Sequence, residues 1–149
     1  MTGPNQITGG CQCGAVRYEI AKLGRSSICH CRMCQKAFGG FFAALVATEG
    51  LQWITEPPAR FQSSNQTQRG FCAKCGTPLT YEVGDHLEIA TGSLDDPTIA
   101  PPTVQGNTAS RLPFFKDLSS LSHISDKEQA DYDAWNAGVI SNQHPDQAD

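Results

Sequence analysis

The chain is expected to fold as a mainly β domain of antiparallel sheets stapled by zinc, with one short helix near its C-terminus. Three observations carry this expectation. Glycine and proline, 14 and 9 residues respectively, punctuate the sequence at short intervals, the rhythm of short strands and tight turns. Several of the segments between them alternate apolar with polar residues, the period-two signature of half-buried strands. Seven cysteines fall into close-spaced groups, which is how a chain supplies metal ligands from tight turns.

Taken in order, the expected strands are residues 15–20, 41–47, 51–54, 59–62, 68–71, 79–82 and 87–91, each bounded by Gly, Pro or a polar cluster. A short helical turn is expected after Cys31. Ser125 and Glu128 form a capping-box pattern ahead of QADYDAWNAGV, which predicts a helix with Tyr132 and Trp135 on one face. The polar tail SNQHPDQAD is expected to fray. One domain is expected over residues 1–149, with its core over about 5–124 and the helix and tail over 125–149; a chain of 149 residues hides roughly 68–70% of its unfolded surface on folding.

Composition narrows the function classes. Hydrophobic residues make up 39% and charged residues 17% of the chain, a thin core that a structural metal would supplement. A net charge of −4 argues against nucleic acid as a partner, since nucleic-acid binders carry a basic excess. The longest apolar stretch, residues 41–48, is far short of the ~20 needed to span a membrane. MTGPNQITGG lacks a basic region followed by an apolar one, so a cytoplasmic location is expected. In that reducing compartment an odd number of clustered cysteines points to metal or redox chemistry rather than to disulfides.

The groups are Cys11-x-Cys13, Cys29-x-Cys31-x-x-Cys34 and Cys72-x-x-Cys75. Tetrahedral zinc takes four ligands, and a close-spaced pair on one turn supplies two of them. Cys72-Ala-Lys-Cys75-Gly76 reads as a zinc knuckle, with Gly76 freeing the backbone to turn its amides toward sulfur. Joining it to Cys11-Gln-Cys13-Gly14 gives a closed four-cysteine site that clamps the start of the chain to its middle. Cys29, Cys31 and Cys34 are then left as three ligands with an open fourth position, the arrangement expected of a catalytic zinc. His30 is an alternative fourth ligand, although a residue between two ligands in an extended turn normally points away from them. The plain alternative for the triplet is buried or redox-idle thiols.

GGCQCGAVRYEI, CHCRMCQKAFGGFF, ARFQSS, RGFCAKCGTPLTY and TGSLDDP, running from Gly9 to Pro97, resemble in order and spacing the glutathione-dependent formaldehyde-activating enzyme family, which includes centromere-protein-V-like proteins. The resemblance implies structural zinc ligands at Cys11, Cys13, Cys72 and Cys75 and catalytic zinc ligands at Cys29, Cys31 and Cys34. It implies the β-tent fold and, as the family's named activity, the condensation of formaldehyde with glutathione by a carbon-sulfur lyase, with a small thiol such as glutathione as partner. After Pro97 the pattern departs: Gln105 stands where the family commonly has histidine, and Ser110-Arg111-Leu112-Pro113-Phe114 carries Arg for Lys and Phe for Trp.

Three thiolates outweigh a dication, so such a zinc suits a soft substrate thiolate better than activated water. Two zinc ions per chain are expected, the three-ligand one being the more readily lost on purification. Arg32, Lys36, Arg69, Lys74 and Arg111 are cations that can offset the excess negative charge and pair with substrate carboxylates; Arg32 and Arg69 adjoin the motifs and are the substrate-binding expectations. Phe38, Phe41 and Phe42 either wall the open position or pack in a turn. The turn at residues 92–97 is read as structural, its carboxylates tying down loops. Trp53 and Trp135 are read as packing residues, and His86, His123 and His144 as ordinary exposed or hydrogen-bonded histidines. The leading function is a zinc-dependent lyase acting on a thiol/aldehyde adduct. The alternative is a zinc-stapled protein-interaction module without turnover, which Gln105 favours, and a third possibility is a redox or metal-buffering protein.

Overall fold

The structure is a computed structural model that describes residues 6–145. Eight strands form one sheet: β1 (Ile7–Gly10), β2 (Arg17–Cys29), β3 (Ala43–Trp53), β4 (Ala59–Gln62), β5 (Gln68–Phe71), β6 (Pro78–Val83), β7 (His86–Ala90) and β8 (Val104–Gly106). Seven follow the order β1-β2-β3-β7-β6-β5-β4, all antiparallel, and β8 lies parallel to the last three residues of β2. Two α-helices, α1 (Arg32–Phe38) and α2 (Asp126–Asn136), and four short 3-10 helices complete the described fold.

The long β2–β3 hairpin is the spine, and it departs from the sequence expectation. The segment 15–20 was expected to be a short strand, yet β2 continues through Leu-Gly-Arg-Ser-Ser to Cys29. A register shift between Leu23 and Ser26 lets it do so, because a bulge absorbs the loss of alternation that made the second half unreadable. The expected strands 41–47 and 51–54 are one strand, β3. Gly50, which reads as a break, sits inside it at a φ of 67°, where a Cβ would stand 2.8 Å from that of Ala21. Strand 59–62 and strand 68–71 fall on β4 and β5 as expected. Strands β1 and β8 have no alternating signature and were not anticipated.

The core gathers on the central strands β2, β3, β7 and β6. Val16, Tyr18, Ile20, Val46, Leu79 and Ile89 are buried together with Cys11 and Cys72, and burying one such aliphatic side chain stabilises the fold by about 1.5–3 kcal/mol. Trp53 packs its ring edge-on to Tyr18, with centroids 5.9 Å apart. A smaller cluster of Cys34, Ala43 and Leu45 sits under α1. The turn at 92–97 is structural, as expected: Asp95 takes two hydrogen bonds from Arg17 at 2.8 and 2.6 Å and one from Thr8 at 2.6 Å.

Beyond Ser110 the chain runs over the surface. The capping box of α2 forms as read, Ser125 Oγ accepting from Glu128 N and the Glu128 carboxylate from Ser125 N. The packing role expected for Trp135 does not: no residue of α2 is buried, and Trp135 is 70% exposed. The expected frayed tail lies outside the described residues from position 146 onward. Before that point it returns to the body, His144 N donating to Gln12 O at 2.6 Å. No helix among the described residues is long and apolar enough to cross a membrane.

Candidate metal centres

All seven cysteines are free thiols, and their sulfurs gather into two groups, Cys11/Cys13/Cys72/Cys75 and Cys29/Cys31/Cys34, each within 4.8 Å. The four-cysteine group is built from two facing turns. Cys11 and Cys13 follow β1, and Cys72 and Cys75 link β5 to β6. In each, a glycine at a φ of 80° closes the turn: Gly14 N donates to Cys11 O and Gly76 N to Cys72 O. Gln12 N donates to Thr77 Oγ1 at 3.0 Å, which locks one turn against the other.

The spacing fits a tetrahedral ion. Four sulfurs around zinc at about 2.3 Å stand about 3.8 Å apart. The Cys11–Cys13 and Cys13–Cys72 Sγ separations are 3.6 and 3.8 Å. Val16 N donates to Cys11 Sγ at 3.3 Å, an amide aimed at sulfur as a thiolate requires. At Cys75 burial pushes the thiol up, but the Thr77 hydroxyl and the Thr77 and Cys13 amides outweigh it and bring the thiol down to about 6. Four thiols held in this way can hold zinc.

The three-cysteine group sits where β2 ends and α1 begins. Cys29 is the last residue of β2, Cys31 is the N-cap of α1 and Cys34 lies in its first turn. The helix sets the geometry: Cys34 N donates to Cys31 Sγ at 3.3 Å, so the capping bond draws the two sulfurs onto one side. Two side chains from distant segments complete the setting. Asn107 Nδ2 donates to Cys29 Sγ at 3.1 Å and Arg69 Nη2 to Cys34 Sγ at 3.4 Å. Burial pushes the Cys34 thiol up to about 12 despite Arg69. At Cys29 burial also opposes the thiolate, but hydrogen bonds from Asn107 and the Cys31 amide lower its pKa.

The triplet opens on a cavity of about 500 Å³, lined also by Arg25, Arg69, Gln105 and Asn107, whereas the four-cysteine group borders a smaller one of about 270 Å³ through Cys11. Arg69 is only 3% exposed, donates through Nε to Ser63 Oγ at 2.9 Å and lies over the Tyr81 ring. Its Nη1 is buried without a hydrogen-bond partner among the described residues. Of the expected substrate-binding pair, Arg69 therefore borders the cavity. Arg32 is exposed, bonds Gln35 Oε1 at 2.5 Å and is not among the lining residues.

His30 is fully buried and points away from the triplet, as expected of a residue between two ligands. Its Nε2 lies 2.9 Å from Gln105 Oε1 and its ring meets Phe115 edge-on at 4.8 Å. Phe38, Phe41 and Phe42 do not wall the cavity; Phe42 packs on His30 and Phe115, and Phe41 on Phe114. Lys74 pairs with Glu56 and Arg111 lies over Phe115, both away from the triplet. His144, read as an ordinary tail residue, lies against Gly14 beside the four-cysteine group. Asn107 was missed by sequence reasoning. Its signal was faint, an Asn after Gly106 in the left-handed conformation, φ 53°.

A mainly antiparallel sheet carrying one four-cysteine and one three-cysteine cluster defines a small β protein able to hold two metal ions. The chain belongs to the glutathione-dependent formaldehyde-activating enzyme family, whose model matches residues 6–110. That match takes in both clusters, Arg69 and Asn107, and it stops where the exposed C-terminal segment begins. Among solved structures, a crystal structure of a Rhodobacter sphaeroides protein is similar with a TM-score of 0.51 and 21% identity, over 66% of this chain and 98% of that one. At that identity the likeness is one of fold.

Proposed function

We propose that this protein is a zinc-dependent enzyme of the carbon-sulfur lyase type that makes or breaks a thiol/aldehyde adduct at Cys29, Cys31 and Cys34. The observation that carries the reading is the convergence of three sulfurs on the wall of the 500 Å³ cavity beside a buried arginine. In the synthetic direction the substrate thiol loses its proton, its sulfur bonds to the aldehyde carbon, and the carbonyl oxygen takes a proton to become a hydroxyl. The reverse cleaves the same carbon-sulfur bond.

A zinc ion held by three thiolates supplies an open position that accepts a soft sulfur ligand and lowers its pKa. The chain's own residues do the rest. Cys29, Cys31 and Cys34 would hold the ion with a formal site charge of about −1; Arg69 offsets that charge at Cys34, and Asn107 stabilises the Cys29 thiolate as a neutral hydrogen-bond donor. The unpartnered Arg69 Nη1 is a donor available to a substrate carboxylate or oxygen. Gln105 spends its carbonyl on His30, which leaves its amide nitrogen as a fixed neutral donor at the cavity. The four-cysteine cluster offers four thiols to one ion and borders a smaller cavity through Cys11 alone among them, and its proposed role is that of a structural zinc.

The test combines metal content with turnover. Purified protein should carry up to two zinc per chain and should accelerate formaldehyde-dependent loss of glutathione thiol. Replacing Cys29, Cys31 and Cys34 together by serine should leave one zinc, a folded chain and the uncatalysed rate. Wild-type protein with two zinc ions and no acceleration would refute the enzymatic reading for this substrate pair. It would favour the interaction module.

A further inference from the structure

The segment beyond Ser110 supplies no thiol to either cluster, yet it is not built like a solvated tail. The first 110 residues carry eight cationic and eight anionic side chains and the remaining 39 carry three and seven, so the whole net charge of −4 lies beyond Ser110. Both ends of the segment are tied to the body. Gln35 Nε2 donates to Ser110 O and Phe115 packs on His30 at one end, and His144 N donates to Gln12 O at the other. Between these anchors Leu121, Ile124, Tyr132, Trp135 and Ile140 are all exposed.

Within this segment α2 presents an ordered stripe. Glu128, Asp131, Tyr132 and Trp135 border one open concavity of about 460 Å³. Their spacing of i, i+3, i+4, i+7 is the reading of a helix that docks by one face. The two acids lie toward its N-terminal end and the two aromatics toward its C-terminal end. At 11 residues α2 is below the ~12–15 needed for even a favourable isolated helix in water. It buries none of its side chains on its own body, so the packing that would stabilise it must come from elsewhere.

The complementary surface is on this same chain. Helix α1 has no acidic residue in its first turn and exposes Arg32 and Lys36, one turn apart, around Met33, which is 52% exposed. Lys36 makes no ion pair among the described residues. Phe41, exposed just beyond the helix C-cap, extends the apolar part. A basic, apolar face therefore matches an apolar stripe carrying two acids, of which Asp131 pairs with the exposed Lys127 of its own helix at 3.1 Å, and no ion pair joins the two faces among the described residues. Pairing the α2 stripe with itself would leave Glu128 and Asp131 facing no cation of the other stripe, whichever way the two helices run.

We infer that the protein is a two-fold dimer in which the acidic, aromatic stripe of α2 in each copy docks on the basic face of α1 in the other. The contact is made twice, as an isologous interface requires. Each change therefore counts twice in the dimer.

Sedimentation equilibrium of the full, zinc-loaded chain under reducing conditions tests this. The wild type should self-associate as a dimer. Trp135→Ser should weaken association by about 30-fold or more, the loss of a buried aromatic anchor. Lys36→Glu should weaken it by about tenfold, and adding Asp131→Lys should restore it by re-pairing the charges. Circular dichroism and zinc content of each variant identify any that fail to fold, and the charge-swapped pair then decides. A wild type that stays monomeric, a dimer indifferent to Trp135→Ser, or a folded swap that fails to restore association would each overturn the inference.

Discussion

Replacing Arg69 by methionine isolates the contribution of a buried cation to the three-cysteine site. The guanidinium is almost wholly buried, and its Nη2 stands 3.4 Å from Cys34 Sγ. Two unit charges at that separation attract by about 5 kcal/mol at an effective dielectric of ~20. The arginine itself pays desolvation on burial, and hydrogen bonds to charged groups contribute about 1.5–3 kcal/mol net. A loss of about 2 kcal/mol corresponds to a roughly 30-fold weaker site, within the 10–100-fold range for changes to groups that hydrogen-bond metal ligands. Methionine keeps much of the apolar stem against Tyr81, so packing is largely spared. The assay is a competition titration with a chromophoric chelator, which resolves a tight and a weaker zinc. Arg69→Met should loosen the weaker ion by about 30-fold and leave the tighter one unchanged, with Arg69→Lys in between. Equal loosening of both ions, or no change in either, would refute the pairing of Arg69 with this cluster.

Other perturbations separate the two clusters. Cys72→Ser should cost the tighter zinc and unfold the chain, because structural zinc contributes directly to folding free energy; a folded, stable Cys72→Ser protein with unchanged metal content would remove the staple role. Gly14→Ala places a methyl 2.4 Å from the His144 ring at a φ of 80°. It should lower stability by about 1–2 kcal/mol, read as a lower Tm, and should release the tail to proteolysis after the α2 segment.

Much of the candidate metal centres was legible because their thiols come in local groups. Cys72-x-x-Cys75 and Cys11-x-Cys13 each place two sulfurs on one turn whatever the rest of the fold does, and each carries its turn-closing glycine. The same is true of the capping box at Ser125 and Glu128, a four-residue device. The resemblance over Gly9 to Pro97 drew on these local patterns and on their order. The charges and the strand boundaries at β4 and β5 were equally local.

What the sequence could not determine is whatever depends on segments meeting from afar. Arg69 reaches Cys34 across 35 positions and Asn107 reaches Cys29 across 78. No periodicity records such an approach. The bulge that carries β2 on to Cys29 erases alternation where the strand is longest, and β8 is a parallel edge strand with no pattern of its own. His30 could be read as a ligand until the fold turned its ring to Gln105. Trp135 looked like core because aromatic side chains usually are, whereas α2 finds no partner in its own chain. Local spacing thus determined which thiols can share an ion. Only the tertiary structure decided that the triplet lines the larger cavity and what surrounds it there, because burial and long-range hydrogen bonds are properties of the assembled sheet.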